Sequence, residues 1–415
     1  MPEMSIFSCL SSDDAWQEYY AYKTSLNHLT RQEETALKRF IEEKRYLPVL
    51  EGLKAGASFP VPEMRLIRKS GSTKKRTVYL FPEAENYVLK LMTFLMIRKY
   101  DGFFTENLYS FRVNYGVNKA IRRLLSHKHL SSMYSYKADI SDYFNSIPED
   151  HLLPLMEALF TDEPECLKLL RNILTDPRVY NRGELILKEK GVMAGTPFAV
   201  FLANLYLTEL DRIMEEKGIL YARYSDDIML FAGTKEERDS GASQVEAYLK
   251  KAGLSVNEEK RVLTSPGEPW SFLGIKYDNG IVDISDVSKK KLKARIRRRA
   301  RALERWQARK KATPEQAVKG FIRAMNKKFF DPDSSHELTW CRWYFPLITT
   351  DRSLKEIDQY LQYWIRALYT GKHREKNYDL TYGEMKELGY VSLVHEYYSQ
   401  KKDRRPNLQV GQEKT

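Results

Sequence analysis

Two periods of hydrophobic and polar positions alternate along the 415 residues of this chain. Residues 13 to 56 keep helical spacing in "DDAWQEYYAYKTSLNHL" and "RQEETALKRFIEEKRYLPVLEGLK", which predicts two helices ending at Gly56. "RLIRKSGSTKKRTVYLF" changes to a strand-like pattern around Ser70-Gly71-Ser72 and predicts a basic hairpin. A helix is expected from about Glu83 to Tyr100, and another, basic one after a turn at Gly116. "SSMYSYKADISDYFNSI" predicts a short strand ending at Asp139, then a turn into a helix near Pro148. In "GVMAGTPFAVFLANLYLTELDRIMEEKG" Thr196 reads as the N-cap, Pro197 as the first helical residue and Gly218 as the stop. Phe198, Phe201, Leu202, Leu205, Leu210 and Ile213 form its apolar face. "LYARYSDDIMLFAG", residues 220 to 233, predicts a β-hairpin. A helix from about Glu236 to Ala252 and short strands through Ile284 follow, and the remainder is mostly helical. No internal repeat is present.

Composition narrows the class. Hydrophobic residues make up 42% of the chain, enough for several packed subdomains. The longest apolar run, Asn86 to Ile97, is interrupted by Lys90 and is too short to cross a bilayer, so no membrane partner is expected. The first residues carry no basic segment followed by a long apolar one, so no secretory signal is expected. The three cysteines, Cys9, Cys166 and Cys341, lie far apart, which argues against a disulfide framework or cysteine zinc site and fits a reducing cytoplasm. The seven histidines show no metal-ligand spacing.

Charge changes the picture more. The net charge is +12, yet "KKKLKARIRRRARALERWQARKK", residues 289 to 311, holds 13 Lys or Arg against one Glu. That segment carries the whole excess, and a polyanion is the partner it implies. A solvated helix face is the alternative. Leu292, Ile296, Leu303 and Trp306 fall at helical spacing, and this short apolar stripe is expected to pack on the protein rather than on lipid.

Asp226 and Asp227 are adjacent like charges between two apolar runs. Alone, such a pair is usually a turn. Here the flanks place them at a hairpin tip, and a third carboxylate, Asp139, ends another β run. If the two strands are neighbours, three carboxylates meet at one sheet edge, where they repel unless a cation joins them. Oxygen-rich sites of this kind suit Mg²⁺ with phosphate oxygens completing the shell, and paired ions serve in-line phosphoryl displacement. A structural acidic cluster is the competing reading.

The ordered set of motifs resembles the reverse transcriptase family, over roughly residues 60 to 300. "YSDD" is similar to its Tyr-x-Asp-Asp box and "ADISDYFNSI" to its first catalytic motif. "GVMAGTPFAVFLANLYL" resembles the turn and helix found in retron and group II intron enzymes. "GLSVNEEKRVL" resembles the Lys-bearing motif and "SFLGIKY" the primer grip. "RKSGSTKKRTVYLF" and "NLYSFRVNYGVNKAI" resemble fingers motifs. The resemblance implies an α+β right-hand polymerase fold: an N-terminal helical extension (1–60), fingers (61–138), a palm with an antiparallel sheet (139–284), a helical thumb or C-terminal domain (285–400) and a flexible tail (401–415). It also implies RNA-directed DNA synthesis with two Mg²⁺ ions, for which Mn²⁺ can substitute.

By the same resemblance Asp139, Asp226 and Asp227 are the catalytic, metal-binding residues, with Ile140 completing the metal set. Lys69 and Arg76 would meet the triphosphate, and Phe144 would lie under the sugar and exclude a 2′-hydroxyl. Gly195 would let backbone approach the template or nucleotide, and Lys260 would protonate pyrophosphate or steady the triphosphate. Phe272, Leu273 and Gly274, with Trp270, would form the primer grip. Arg295, Arg298, Arg299 and Arg305 would track nucleic-acid phosphates. Each has a plainer reading, as a core ring, a turn glycine or a solvated cation.

The chain departs from the family at Met193-Ala194-Gly195, where the usual motif is Pro-Gln-Gly. With the compact length and no added nuclease segment, this resembles bacterial defence-associated reverse transcriptases that copy an associated noncoding RNA into cDNA from dNTPs. Three rivals remain open: an RNA-templated RNA polymerase, untemplated or protein-primed nucleotide addition, and a catalytically silent RNA-binding module. Template, primer and oligomeric state are not legible.

Overall fold

A computed structural model describes residues 4–26, 29–68, 75–330, 340–374 and 377–403. The chain divides into two compact units, Met1–Leu273 and Gly274–Thr415. Both periods of the sequence are realised, and the fold is α+β.

Besides the short strand Trp270–Phe272, the strands of the first unit are β1 (Glu63–Arg68), β2 (Lys75–Leu80), β3 (Tyr134–Asp139), β4 (Arg178–Asn181), β5 (Glu184–Leu187), β6 (Leu220–Tyr224), β7 (Asp227–Ala232) and β8 (Val262–Thr264). They form two four-stranded sheets. One has the order β2-β1-β4-β5, the other β6-β7-β3-β8. The second sheet is antiparallel throughout, and its central strand β7 is continuously apolar and buried from Ile228 to Phe231, as a strand covered on both faces requires. The helix Lys235–Lys251 packs on β3 and β7. Its start is fixed by a capping box: Thr234 Oγ1 accepts from Glu237 N, and Glu237 Oε2 accepts from Thr234 N, both at 3.1 Å.

The N-terminal helices share this core. Trp16 is fully buried, stacks on Tyr46 at 4.8 Å and donates its indole N–H to Leu10 O. The expected second helix is two, Arg31–Glu42 and Leu47–Lys54, because Lys44 turns the chain at φ 50° and Pro48 then opens the next helix. The helices at Glu83–Lys99 and Val117–Leu125 match expectation. Thr196 is not an N-cap. Its hydroxyl donates to Met193 O, closing a turn, and the helix begins at Ala199. That helix breaks at Leu207 and resumes at Thr208–Glu216, so one predicted element becomes two. The helix Pro164–Thr175 and the β4–β5 hairpin were not legible in the apolar pattern.

The second unit carries a hairpin, Ile275–Asp278 with Ile281–Ile284, and helices at Asp286–Lys310, Pro314–Phe330 and Arg352–Thr370 that pack on one another. Buried Asp358 accepts from Leu393 N and Val394 N, and so caps the helix Leu393–Asp403 from outside it. No helix among the described residues is long and apolar enough to cross a membrane.

Candidate active site

Two residues close the β6–β7 hairpin, Ser225 and Asp226, because Tyr224 pairs directly with Asp227. Ser225 takes φ 59°, and a positive φ at the first central residue suits a two-residue hairpin connection. Strand β3 lies beside β7, and their ladder ends with Asp139 opposite Asp227. Asp226 follows on the turn, and its carbonyl accepts from Ile140 N at 3.1 Å. Asp139 thus meets carboxylates 87 and 88 positions further along the chain, three on one sheet edge.

The electrostatics of that edge are unfavourable to full ionisation. Burial, then Asp227 and Asp139, push the Asp226 carboxyl up to about 6. Lys260 Nζ answers part of the charge with a 2.6 Å bond to Asp139 Oδ1. Burial opposes the Lys260 charge, but the bond to Asp139 and the nearby carboxylates raise its pKa above the ordinary value. Asn257 holds Asp139 from the other side, with N donating to Asp139 O at 2.7 Å and Nδ2 lying 3.5 Å from Oδ2. Among the described residues no three His, Cys, Asp or Glu side chains enclose a single point. The carboxylates line an edge, and the ammonium of Lys260 stands where Asp139 needs a cation.

Phe144 sits in the one-turn helix Tyr143–Ser146, with its ring half-buried against the core. The backbone beside it is clamped by the glycine turn. A Cβ on Gly191 would come within 2.5 Å of Phe144 O, and Val192 N donates to that carbonyl at 2.8 Å. Ala194 N reaches Asn145 Oδ1 at 3.3 Å, and Ala194 O accepts from Tyr79 N at 2.8 Å. Gly195 takes φ 97°, and a Cβ there would meet Val78 Cβ at 3.0 Å. Glycine is therefore required both for the turn and for the approach to β2. Arg76 is exposed on β2, opposite Ile67. Lys69 and the Ser70-Gly71-Ser72 turn lie outside the described residues.

A cavity of about 530 Å³ opens beside Gly195 and Pro197. Tyr22, Lys23, Lys90, Phe94 and Arg98 line it. The Arg98 guanidinium lies 3.6 Å from the Phe94 ring centre, and the Tyr22 and Phe94 rings are 4.9 Å apart. Sequence reasoning missed this wall, which an aromatic and basic stripe on the helices Asp13–Ser25 and Glu83–Lys99 could have signalled.

Of the expected primer grip, Phe272 is buried, and Leu273 (φ 47°) and Gly274 (φ 87°) form a partly exposed turn. Trp270 packs on Phe231 at 5.2 Å. In the second unit the basic segment is one helix, Asp286–Lys310. Its buried stripe is Leu292, Ile296 and Ala300, while Leu303 and Trp306 are only partly covered. Lys289 and Lys293 both bond Glu356, at 2.8 and 2.7 Å. Arg298, Arg299 and Arg305 are exposed, and Arg295 is half-buried.

Sequence reasoning also missed the residues under the hairpin. Ser110, Asn204, Asp211 and Arg223 are all buried and bonded to one another or to the turn. An arginine inside an apolar strand was the available signal.

The chain is 22% identical over 172 residues to the retron Ec86 reverse transcriptase of Escherichia coli, covering 40% of this chain and 50% of that protein. It is 24% identical over 174 residues to the retron Ec48 reverse transcriptase of the same organism, covering 40% of each. The matches thus span half or less of these relatives' lengths. Among solved structures, apo telomerase from Candida tropicalis aligns with a TM-score of 0.47 and 13% identity, over 85% of this chain and 68% of that one. Telomerase from Candida albicans bound to a fragment of telomeric RNA aligns at 0.46 and 12%, over 85% and 65%. Residues 67–277, just over half the chain, match the reverse transcriptases (RNA-dependent DNA polymerases), and the chain belongs to that family.

Proposed function

We propose that the protein is an RNA-directed DNA polymerase that copies an associated noncoding RNA into cDNA from dNTPs. The observation that carries the reading is the meeting of Asp139, Asp226 and Asp227 on one edge, with the Asp226 carboxyl pushed up to about 6. Such a cluster is costly alone and is relieved by cations.

The donor set fits hard divalent ions, since it is made of carboxylate oxygens. Asp139, Ile140, Asp226 and Asp227 would hold two Mg²⁺, or Mn²⁺ in their place. Bound there, the ions supply Lewis acidity at the reacting phosphate and its leaving group. Lys260 steadies triphosphate oxygens once freed from Asp139. Lys69 and Arg76 add a point charge and a guanidinium fork for the same phosphates. Phe144, its backbone fixed by the Gly191 clamp, excludes a ribose 2′-hydroxyl. Gly195 lets the protein backbone approach the template or nucleotide closely. The arginines of the 286–310 helix neutralise duplex phosphates. A role in antiphage defence in the bacterial cytoplasm belongs to this reading through the resemblance alone.

Sequencing the product tests the proposal. The protein is given a primed RNA of arbitrary sequence, dNTPs or rNTPs, and Mg²⁺. The expected product is DNA complementary to that RNA. A homopolymer independent of the RNA favours untemplated addition, for which Ala194 in the usual glutamine position is the supporting feature. RNA product favours the RNA polymerase reading. Bound RNA with no synthesis leaves a silent binding module.

A further inference from the structure

The catalytic turn is held from below by a closed set of buried groups. Arg223 and Asp211 are both wholly buried, and the pair is bidentate, with Nε to Oδ1 at 2.7 Å and Nη2 to Oδ2 at 2.5 Å. Tyr221 Oη donates to the same Oδ1 at 3.0 Å. Two more guanidinium hydrogens go to backbone, with Nη2 to Asn204 O at 3.2 Å and Nη1 to Ser225 O at 3.3 Å. Ser225 N donates to Ser110 Oγ at 2.9 Å. Ser110 in turn is fixed by Asn204, through Oγ–Oδ1 at 3.0 Å and Asn204 Nδ2 to Ser110 O at 2.8 Å. The backbone of Arg223 is pinned as well: its N donates to Asn107 O and its O accepts from Tyr109 N, both at 2.9 Å.

Ser225 is the turn residue that this set reaches, through two of its bonds. It is buried and not a glycine, yet it takes φ 59°. A residue in that region keeps the conformation only when its surroundings over-determine it. Both of its backbone polar groups are held, the N–H by Ser110 and the carbonyl by Arg223. Asp226 is the next residue. A buried ion pair is a poor source of stability, because desolvation offsets most of the attraction. A planar fork that can reach Asp211, Asn204 and Ser225 at once gives geometry instead, which an ammonium does not.

We propose that Arg223, braced by Asp211, and Ser110 are positioning residues of the polymerisation site: together they fix the Ser225 backbone and so set where Asp226 stands relative to Asp139. This assigns a purpose to the "NLYSF" stretch, whose Asn107 to Ser110 segment serves as a splint along β6. The inference rests on the polymerase reading, and its test separates the two.

Three variants are compared with wild type: Ser110→Ala, Arg223→Lys, and Arg223→Met combined with Asp211→Leu. The last replaces the ion pair by apolar side chains and is expected to fold, as judged by thermal melting and circular dichroism. Two quantities are read for the folded protein. The first is kcat and dNTP KM on a primed RNA. The second is Mn²⁺ affinity by electron paramagnetic resonance, which needs no turnover. The expected result is a kcat lower by about 100-fold in the apolar pair, the scale of a 1 Å misplacement. KM should stay within about threefold, and Mn²⁺ should bind more weakly. Arg223→Lys should not restore kcat, and Ser110→Ala should lie between. A structural role alone would lower the melting temperature and leave kcat per folded molecule and Mn²⁺ affinity unchanged, which would overturn the inference. If wild type makes no templated DNA, the polymerase reading fails instead, and the Mn²⁺ comparison still decides whether this frame positions the carboxylates.

Discussion

The carboxylate edge of the first unit and the long helix of the second are both concentrations of like charge, and they manage it in opposite ways. At the edge, repulsion is contained. Asp139 and Asp227 are locked opposite each other by the β3–β7 ladder, and Asp226 is carried on a turn whose backbone is bonded from inside. Its carboxyl responds by rising to about 6. Along the helix, repulsion is dispersed into solvent. Lys289 and Lys293 share Glu356, while Arg298, Arg299 and Arg305 face outward. The first arrangement is a point device, in which a fraction of an ångström matters. The second acts over many ångströms, through counterions, and salt screens it.

The largest effect expected from this contrast lies on the helix. Reversing Arg298, Arg299 and Arg305 to Glu should weaken template-primer binding for all sequences alike. Proteins with about 6 to 10 phosphate contacts lose on the order of 10³ to 10⁵ in affinity between 50 and 200 mM salt, and the slope should flatten as contacts are removed. Product length under a heparin trap should fall more than the rate of single-nucleotide addition. Equal salt slopes and equal product lengths would make the helix a solvated face.

A smaller effect, of the opposite sign, belongs to the edge. The folded value of Asp226, about 6, lies above its ordinary 3.8, so the folded protein holds this proton more tightly than the unfolded chain. In metal-free buffer the group therefore costs stability as pH rises through about 6, and costs nothing below the unfolded value. Asp226→Asn should stabilise the metal-free protein at about pH 7.5, on the order of 1 to 3 kcal/mol at about 1.4 kcal/mol per pKa unit. The gain should vanish near pH 4. Denaturation midpoints in EDTA across that range check it. A pH-independent difference would show that the three carboxylates are not crowded.

The sequence disclosed these two regions unequally. The hairpin, Asp139 at the end of its strand and the basic helix follow from local pattern: short apolar β runs, adjacent charges and a run of arginines. What it hid is what depends on long-range closure. Arg223 looks like an interruption of an apolar strand until Asp211 and Ser225 are seen around it. Thr196 satisfies every local rule for an N-cap, yet the positive φ of Met193 and Gly195 bends the chain so that its hydroxyl closes a turn instead. The bond of Lys260 to Asp139 was likewise hidden, because the lysine comes from a segment 121 residues away. The break at Leu207 has no evident signal in the residues around it.

The central claim is that the edge carboxylates perform nucleotide addition. Single-turnover incorporation of one dNTP on a primed RNA, by wild type and by Asp226→Ala with Asp227→Ala, tests it most directly, with circular dichroism and RNA affinity measured alongside. The account predicts a loss of about 10³-fold or more, since each 1.4 kcal/mol of lost transition-state stabilisation is tenfold in rate, with folding and RNA binding nearly unchanged. A double variant that still adds nucleotide within tenfold of the wild-type rate would contradict it.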